Sequence, residues 1–201
     1  MTIHLNVEQI KKKIGSARLM AVTKYRSIAE IQEAIAAGVD LIGESRVQEA
    51  MGKLGELPSV EKHFIGHLQT NKVKKAVELF DCIQSVDRYG IAKEIDKCAA
   101  RMSKVMPVMI EINPCEEQKG GVSFEDAPAF YNKIVGFRSI KVVGVMGIGP
   151  LTEDPREFFQ KMKQLQVKLG VKECSMGMSE DWQTAVEEGS TLVRIGKGVF
   201  S

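Results

Sequence analysis

The sequence predicts one α/β domain over residues 1–201, a (β/α)8 TIM barrel preceded by an extra N-terminal helix. Eight short apolar runs alternate with longer amphipathic segments, and nearly every run ends in a polar or charged residue. Strands separated by helices pair in parallel through right-handed crossovers, which leaves a closed barrel or an open doubly wound sheet. The polar strand ends favour the barrel, because closure brings them to one face where an open sheet scatters them. Length agrees, since 201 residues, 44% of them hydrophobic, supply one sizeable core and are too few for two comfortable domains.

Residues Met1 to Ile14 read as a short amphipathic helix carrying Lys11, Lys12 and Lys13, without the apolar core and cleavage site of a secretory signal. The first strand, Leu19–Thr23, delivers Lys24. The helix after it opens on the capping box Ser27-Ile-Ala-Glu30, repeats apolar residues at Ile28, Ile31 and Ile35, and closes at Gly38. The second strand, Val39–Gly43, ends at Glu44, the third, His63–Gly66, at His67, and the fourth, Cys82–Val86, at Asp87. The fifth, Pro107–Ile112, leads through Asn113 into a loop, Glu116–Gly121, and the sixth is Lys141–Met146. Asp154-Pro155-Arg156-Glu157 starts the next helix, with a capping carboxylate and proline in the first turn. Glu173–Met176 and Thr191–Ile195 complete the set, with Ser175 in the seventh strand and Arg194 near the end of the eighth.

Net charge is +2, from 28 Lys+Arg against 26 Asp+Glu, so no strong field argues for nucleic acid or an anionic membrane. The cysteines Cys82, Cys98, Cys115 and Cys174 form no C-x-x-C pair and no zinc spacing. No run approaches the ~18 apolar residues of a membrane span. These features lead to the expectation of a cytoplasmic protein with reduced thiols, no metal, no nucleic acid and no membrane.

Lys24 ends an apolar strand, a position that sets its stem against apolar walls and its amine in the mouth, where desolvation or a nearby cation frees the nucleophile for imine formation. The plainer reading is a lysine snorkelling to solvent. Small residues after strands seven and eight, Ser175-Met-Gly-Met-Ser179 and Arg194-Ile-Gly-Lys-Gly198, lie where barrels build phosphate cradles. Ser175 and Ser179 add hydroxyl donors, with Ser179 alternatively a helix cap and Gly196 a turn glycine. A strand-end lysine opposite an anion site suits a phosphorylated aldehyde cofactor. Arg194 then lies between them, facing a pyridine nitrogen and holding it unprotonated, or else acts as a phosphate clamp or salt-bridge partner. Barrel, lysine and phosphate site equally suit a phosphosugar aldolase or isomerase in which Lys24 attacks the substrate. His67 and Asn71 are weaker pocket candidates, His67 alternatively a buried and satisfied histidine. Met146 is cofactor wall or core.

The blocks Ala21-Val-Thr-Lys24, Gly43-Glu-Ser-Arg-Val-Gln-Glu49, His63-Phe-Ile-Gly-His-Leu-Gln-Thr-Asn-Lys72, Gln84-Ser-Val-Asp87, Gly144-Val-Met146, Ser175-Met-Gly-Met-Ser179 and Gly189-Ser-Thr-Leu-Val-Arg-Ile-Gly196 span the whole chain in order. Together they resemble the pyridoxal phosphate homeostasis protein family. The resemblance implies a single-domain barrel related to the N-terminal domain of alanine racemase, with pyridoxal 5′-phosphate (PLP) as its cofactor. It implies that Lys24 forms the Schiff base, that Arg194 addresses the pyridine nitrogen, and that Ser175, Ser179 and the backbone around Gly196 bind the phosphate, to which Lys197 is expected to add a backbone or ammonium contact. Members are regarded as carriers or regulators in vitamin B6 and amino-acid homeostasis, without established catalytic turnover, and PLP-dependent apo-enzymes are the partners such a role implies. A monomer or weak dimer is expected. The alternative on this barrel is an amino-acid racemase, which needs a second acid/base that alanine racemase takes from a partner's further domain, and no such domain is read in these residues. The chain departs from the family pattern at Ser45, where asparagine is usual, at Lys197, where serine or threonine is common, and at Phe200-Ser201, where many relatives continue.

Overall fold

A computed structural model describes residues 2–113, 120–150 and 154–201 of the chain. Its strands are β1 (Arg18–Val22), β2 (Leu41–Glu44), β3 (Glu61–Phe64), β4 (Cys82–Val86), β5 (Met106–Ile112), β6 (Ile140–Gly147), β7 (Glu173–Ser175) and β8 (Leu192–Ile195). They pair in parallel in chain order, and β8 closes on β1 through the register Met20 with Arg194 and Ala21 with Ile195. The predicted barrel is the observed one.

The helices are α1 (Ile3–Lys11), α2 (Ile28–Ala36), α3 (Val47–Met51), α4 (Val73–Leu79), α5 (Tyr89–Arg101), α6 (Ala127–Ile134), α7 (Arg156–Leu169), α8 (Trp182–Glu187) and α9 (Lys197–Phe200). The extra helix is α1. Its buried stripe of Ile3, Asn6, Val7 and Ile10 packs against α2 and α9, and the Asn6 amide donates to Val199 O at 3.1 Å and Ser201 O at 2.7 Å, tying the two ends of the chain together. The capping box of α2 forms as read, with Ser27 Oγ accepting the Glu30 N–H at 3.3 Å and Glu30 Oε2 the Ser27 N–H at 2.8 Å. Gly38 follows at φ 98°. Asp154 Oδ1 accepts the Arg156 N–H at 3.0 Å and starts α7.

Several strand bounds move by a residue or two from the sequence reading. The largest move is in β3, which starts at Glu61 because the ladder to β2 begins at Leu41, and stops at Phe64 because the chain turns at Gly66. In β2 the start shifts to Leu41 because the Asp40 side chain takes the Leu19 N–H at 2.8 Å, ahead of the ladder. Cys115 and the Glu116–Lys119 part of the predicted loop lie outside the described residues.

Inside the barrel, Met20, Leu41 and Leu192 form one apolar layer and Cys82, Met109 and Met146 another. The larger core lies between strands and helices. Alternation along the strands decides which polar ends reach the mouth. A Cβ on Gly43 would strike the Met20 sulfur inside the barrel, so Glu44 points the other way, into the helix layer. The expectation that all the polar strand ends converge fails there. Among the described residues no helix is long and apolar enough to cross a membrane, and no group of three His, Cys, Asp or Glu is placed to hold a metal ion.

Candidate functional site

The C-terminal ends of β7, β8 and β1 are neighbours in the barrel, and the side chains with the sharpest chemistry stand on them. Thr23 is buried at the end of β1, with its Oγ1 2.6 Å from Glu44 Oε1. Tyr25 takes a left-handed backbone conformation, φ 62°, that a bulky residue adopts only under restraint. The restraint is visible: Glu49 Oε1 accepts the Tyr25 N–H at 2.7 Å. Lys53 joins the parts from behind, donating to Thr23 O at 3.0 Å, Glu44 Oε1 at 3.2 Å and Glu49 Oε1 at 2.5 Å. Burial raises the Glu44 carboxyl while Thr23 and Lys53 counter it. Lys24 is therefore presented by a turn clamped on both sides.

The Lys24 side chain is exposed, with Nζ 4.8 Å from the centre of the Tyr25 ring and the Arg46 guanidinium 5.5 Å from the same ring. The sequence sets its stem against apolar walls at a strand end, whereas the strand stops at Val22 and the lysine stands exposed two residues beyond it. The backbone turn supplies the positioning instead.

Arg194 is the opposite case, 3% exposed at the end of β8. Its Nη1 donates to Ser175 O at 2.6 Å and Ser175 Oγ at 2.9 Å, and its Nη2 to Gly147 O at 2.7 Å. Burial lowers it to about 10, which leaves it cationic at neutral pH and able only to donate. Gly177, at φ 92°, is needed for this geometry. Its carbonyl accepts the Arg194 N–H at 2.9 Å, and a Cβ there would lie 2.6 Å from that of Ala185.

The predicted phosphate residues divide into two groups. Ser179, half-buried, and the turn Gly196-Lys197-Gly198 come together, with the Gly198 N–H 3.5 Å from Ser179 Oγ. Lys197 is exposed as the first residue of α9. Ser175 lies deeper, fully buried beneath Arg194, and its hydroxyl donates to Gln84 Oε1 at 2.7 Å. Met146 is in register with Ser175 and packs inside the barrel with Cys82 and Met109. His67 stands exposed at the rim, Nδ1 3.8 Å from Asp87 Oδ2, and it is His63 that is buried. Asn71 is exposed on the 3-10 turn Thr70–Lys72.

Sequence reasoning misses Glu111. It is in register with Met146 on β5, and burial pushes its carboxyl up to about 7, with Asp87 adding to the rise and Arg194 and Arg88 opposing it. The available signal is a glutamate in the apolar stretch Val108-Met-Ile-Glu-Ile112, at the inward phase set by Met109. Because the fold favours the protonated form, the associated stability is complete below the ordinary value of 4.5 and is lost as pH rises through 7. Glu111→Gln, neutral throughout, should match the parent protein in urea unfolding at about pH 4 and exceed it by about 1–3 kcal/mol at about pH 8.

Comparison with known proteins bears on this arrangement. The profile of the alanine racemase N-terminal domain matches residues 2–201. A pyridoxal phosphate homeostasis protein of Aquifex aeolicus is 39% identical over 196 residues, covering 92% of this chain and 86% of the relative. PipY of Synechococcus elongatus PCC7942, solved with PLP bound, superposes with a TM-score of 0.93 at 32% identity over the full length of both chains. Alanine racemase of Corynebacterium glutamicum shares the fold, with a TM-score of 0.79 at 19% identity, over 98% of this chain and 59% of that enzyme. The chain thus belongs to the pyridoxal phosphate homeostasis protein family, built on the barrel that alanine racemase carries as its N-terminal domain.

Proposed function

We propose that this chain binds PLP across the barrel mouth and serves as a carrier or regulator in vitamin B6 and amino-acid homeostasis, with PLP-dependent apo-enzymes as recipients. The observation that carries the reading is Arg194, a buried guanidinium locked by Gly147 and Ser175 on the strand between the Lys24 turn and the Ser179 loop. The donor set fits the group: an accessible primary amine, a cation that cannot accept a hydrogen bond, and a hydroxyl beside a backbone N–H for an anion.

Bound PLP supplies an aldehyde that condenses with amines and a ring that withdraws electrons. Lys24 offers the amine. Arg194 holds the ring nitrogen unprotonated, which weakens electron withdrawal and suits storage and release better than broad carbanion chemistry. Ser179, Gly196 and Lys197 take the phosphate. Ser175 contributes by holding Arg194, and Met146 closes the floor. An exposed Lys24 keeps exchange with incoming amines open, as a carrier requires. His67 and Asn71 line the rim. The protein works in the cytoplasm as a monomer or weak dimer.

Titration with PLP should give a visible absorption band that borohydride abolishes, leaving a covalent label that peptide mapping assigns to Lys24. A label spread over surface lysines would overturn the site. Mixing the loaded protein with an apo-enzyme and a trap for free aldehyde tests the carrier role, and activation despite the trap is expected. Deuterium incorporation at the α-carbon of amino acids, above a Lys24→Ala control, would instead indicate a racemase.

A further inference from the structure

Arg194 is the upper end of a hydrogen-bond chain that runs down the inside of the barrel. Below it, Ser175 Oγ donates to Gln84 Oε1 at 2.7 Å, Gln84 Nε2 lies 2.7 Å from His63 Nδ1, and His63 Nε2 lies 2.6 Å from Glu61 Oε1. Arg18 closes the lower end on Glu61 Oε2. The middle members, Ser175, Gln84 and His63, are all buried. The lower end opens on a cavity of about 410 Å³ lined by Arg18, Glu61 and His63.

The order of hydrogens along this chain follows from its two ends and a neutral imidazole between them. An ionised carboxylate can only accept, so His63 Nε2 carries the hydrogen toward Glu61, and in the neutral ring Nδ1 then presents a lone pair. Gln84 must then turn its NH2 group to His63 and its carbonyl oxygen to Ser175. The Ser175 hydrogen is committed downward, which leaves an oxygen lone pair facing the guanidinium, a group that can only donate. Every member has one orientation that satisfies both neighbours, and it is the same direction throughout.

We propose that Gln84 and His63 are positioning residues for the cofactor-ring contact, setting the Ser175 hydroxyl and through it the guanidinium of Arg194. The part of this that concerns the cofactor rests on the PLP reading above; the part that concerns Arg194 does not. Neither residue touches the mouth, so their effect reaches it only through the chain.

The test compares Gln84→Met, which keeps volume and loses both bonds, Gln84→Glu, which keeps an acceptor for Ser175 and restores the joint to His63 by drawing a proton onto Nδ1, and His63→Phe, which breaks the chain one joint lower. In isotope-labelled protein without cofactor, the guanidinium resonances of Arg194 should broaden or move in Gln84→Met and His63→Phe and stay near their original positions in Gln84→Glu. With PLP added, the first two variants should shift the visible band and weaken binding about tenfold, and Gln84→Glu should restore both. Folded variants with lower melting temperatures but unmoved Arg194 resonances would overturn the proposal, because a purely structural role predicts only the former. If moved resonances accompany a parent protein that gives no visible band, the positioning of Arg194 stands and the PLP reading falls.

Discussion

Gly66→Ala should lower the melting temperature by roughly 6–12 °C, the change expected for about 3 kcal/mol in a chain of this size. A Cβ at residue 66 would collide with the carbonyl oxygen of Ser45 and sit 2.7 Å from the Ser45 carbonyl carbon and Cα. All three are backbone atoms just past the last ladder pair of β2 and β3, Glu44 with Phe64, and no side chain can swing aside. The cost therefore falls at the upper end of the usual range for overpacking, about 1–3 kcal/mol. Gly90→Ala is the matched control, since residue 90 is exposed in the first turn of α5 with open space at the Cβ position, and there alanine should stabilise by about 0.5–1 kcal/mol. Differential scanning calorimetry of the two variants separates the outcomes. A Gly66→Ala melting temperature equal to that of the parent would show that β2 and β3 can part at their C-terminal ends.

Lys24→Ala should remove the borohydride-dependent label at the mouth altogether while leaving the fold intact. The side chain is exposed and lies against the Tyr25 ring, an interaction worth about 0.5–1 kcal/mol at such a site. The Thr23, Glu44, Glu49 and Lys53 bonds that hold the turn involve other side chains or backbone groups and survive the substitution. The melting temperature should accordingly stay within about 2–4 °C of the parent. Reduced samples digested and mapped by mass spectrometry should show label only at exposed lysines such as Lys12, at the level a fully unrelated protein gives. Transfer to an apo-enzyme in the presence of an aldehyde trap should vanish with it. Retention of a visible band and of transfer by Lys24→Ala would place the amine elsewhere.

The barrel is legible in the sequence because burial on both faces leaves strands that read as continuous apolar runs. Leu19-Met-Ala-Val22 in β1 is such a run, and Cys82–Val86 forms at the predicted bounds in spite of its buried Gln84 and Ser85. The capping box at Ser27 and the glycine at 38 are equally plain, being local chemistry. Long-range consequences are harder to read. Glu44 looks like a mouth residue by position, and only the alternation set by Gly43 against Met20 shows that it faces the helices and braces the Lys24 turn with Lys53. The exposure of Lys24 depends on where β1 ends, a boundary set by pairing with β2 and β8. Ser175 and Ser179 look alike in sequence, yet one lies under Arg194 and the other beside the Gly198 N–H. Glu111 and the Gln84–His63 pair escape notice because polar residues inside a barrel declare themselves only through their partners.

The most direct measurement is a crystal structure of the protein grown with pyridoxal 5′-phosphate. Electron density should run unbroken from the Lys24 Nζ into the ligand, with the ring nitrogen within hydrogen-bonding distance of the Arg194 guanidinium and the phosphate against Ser179 and the Gly196–Gly198 turn. A bare Lys24 beside a ligand bound elsewhere, or a ring turned with its nitrogen away from Arg194, would contradict the account.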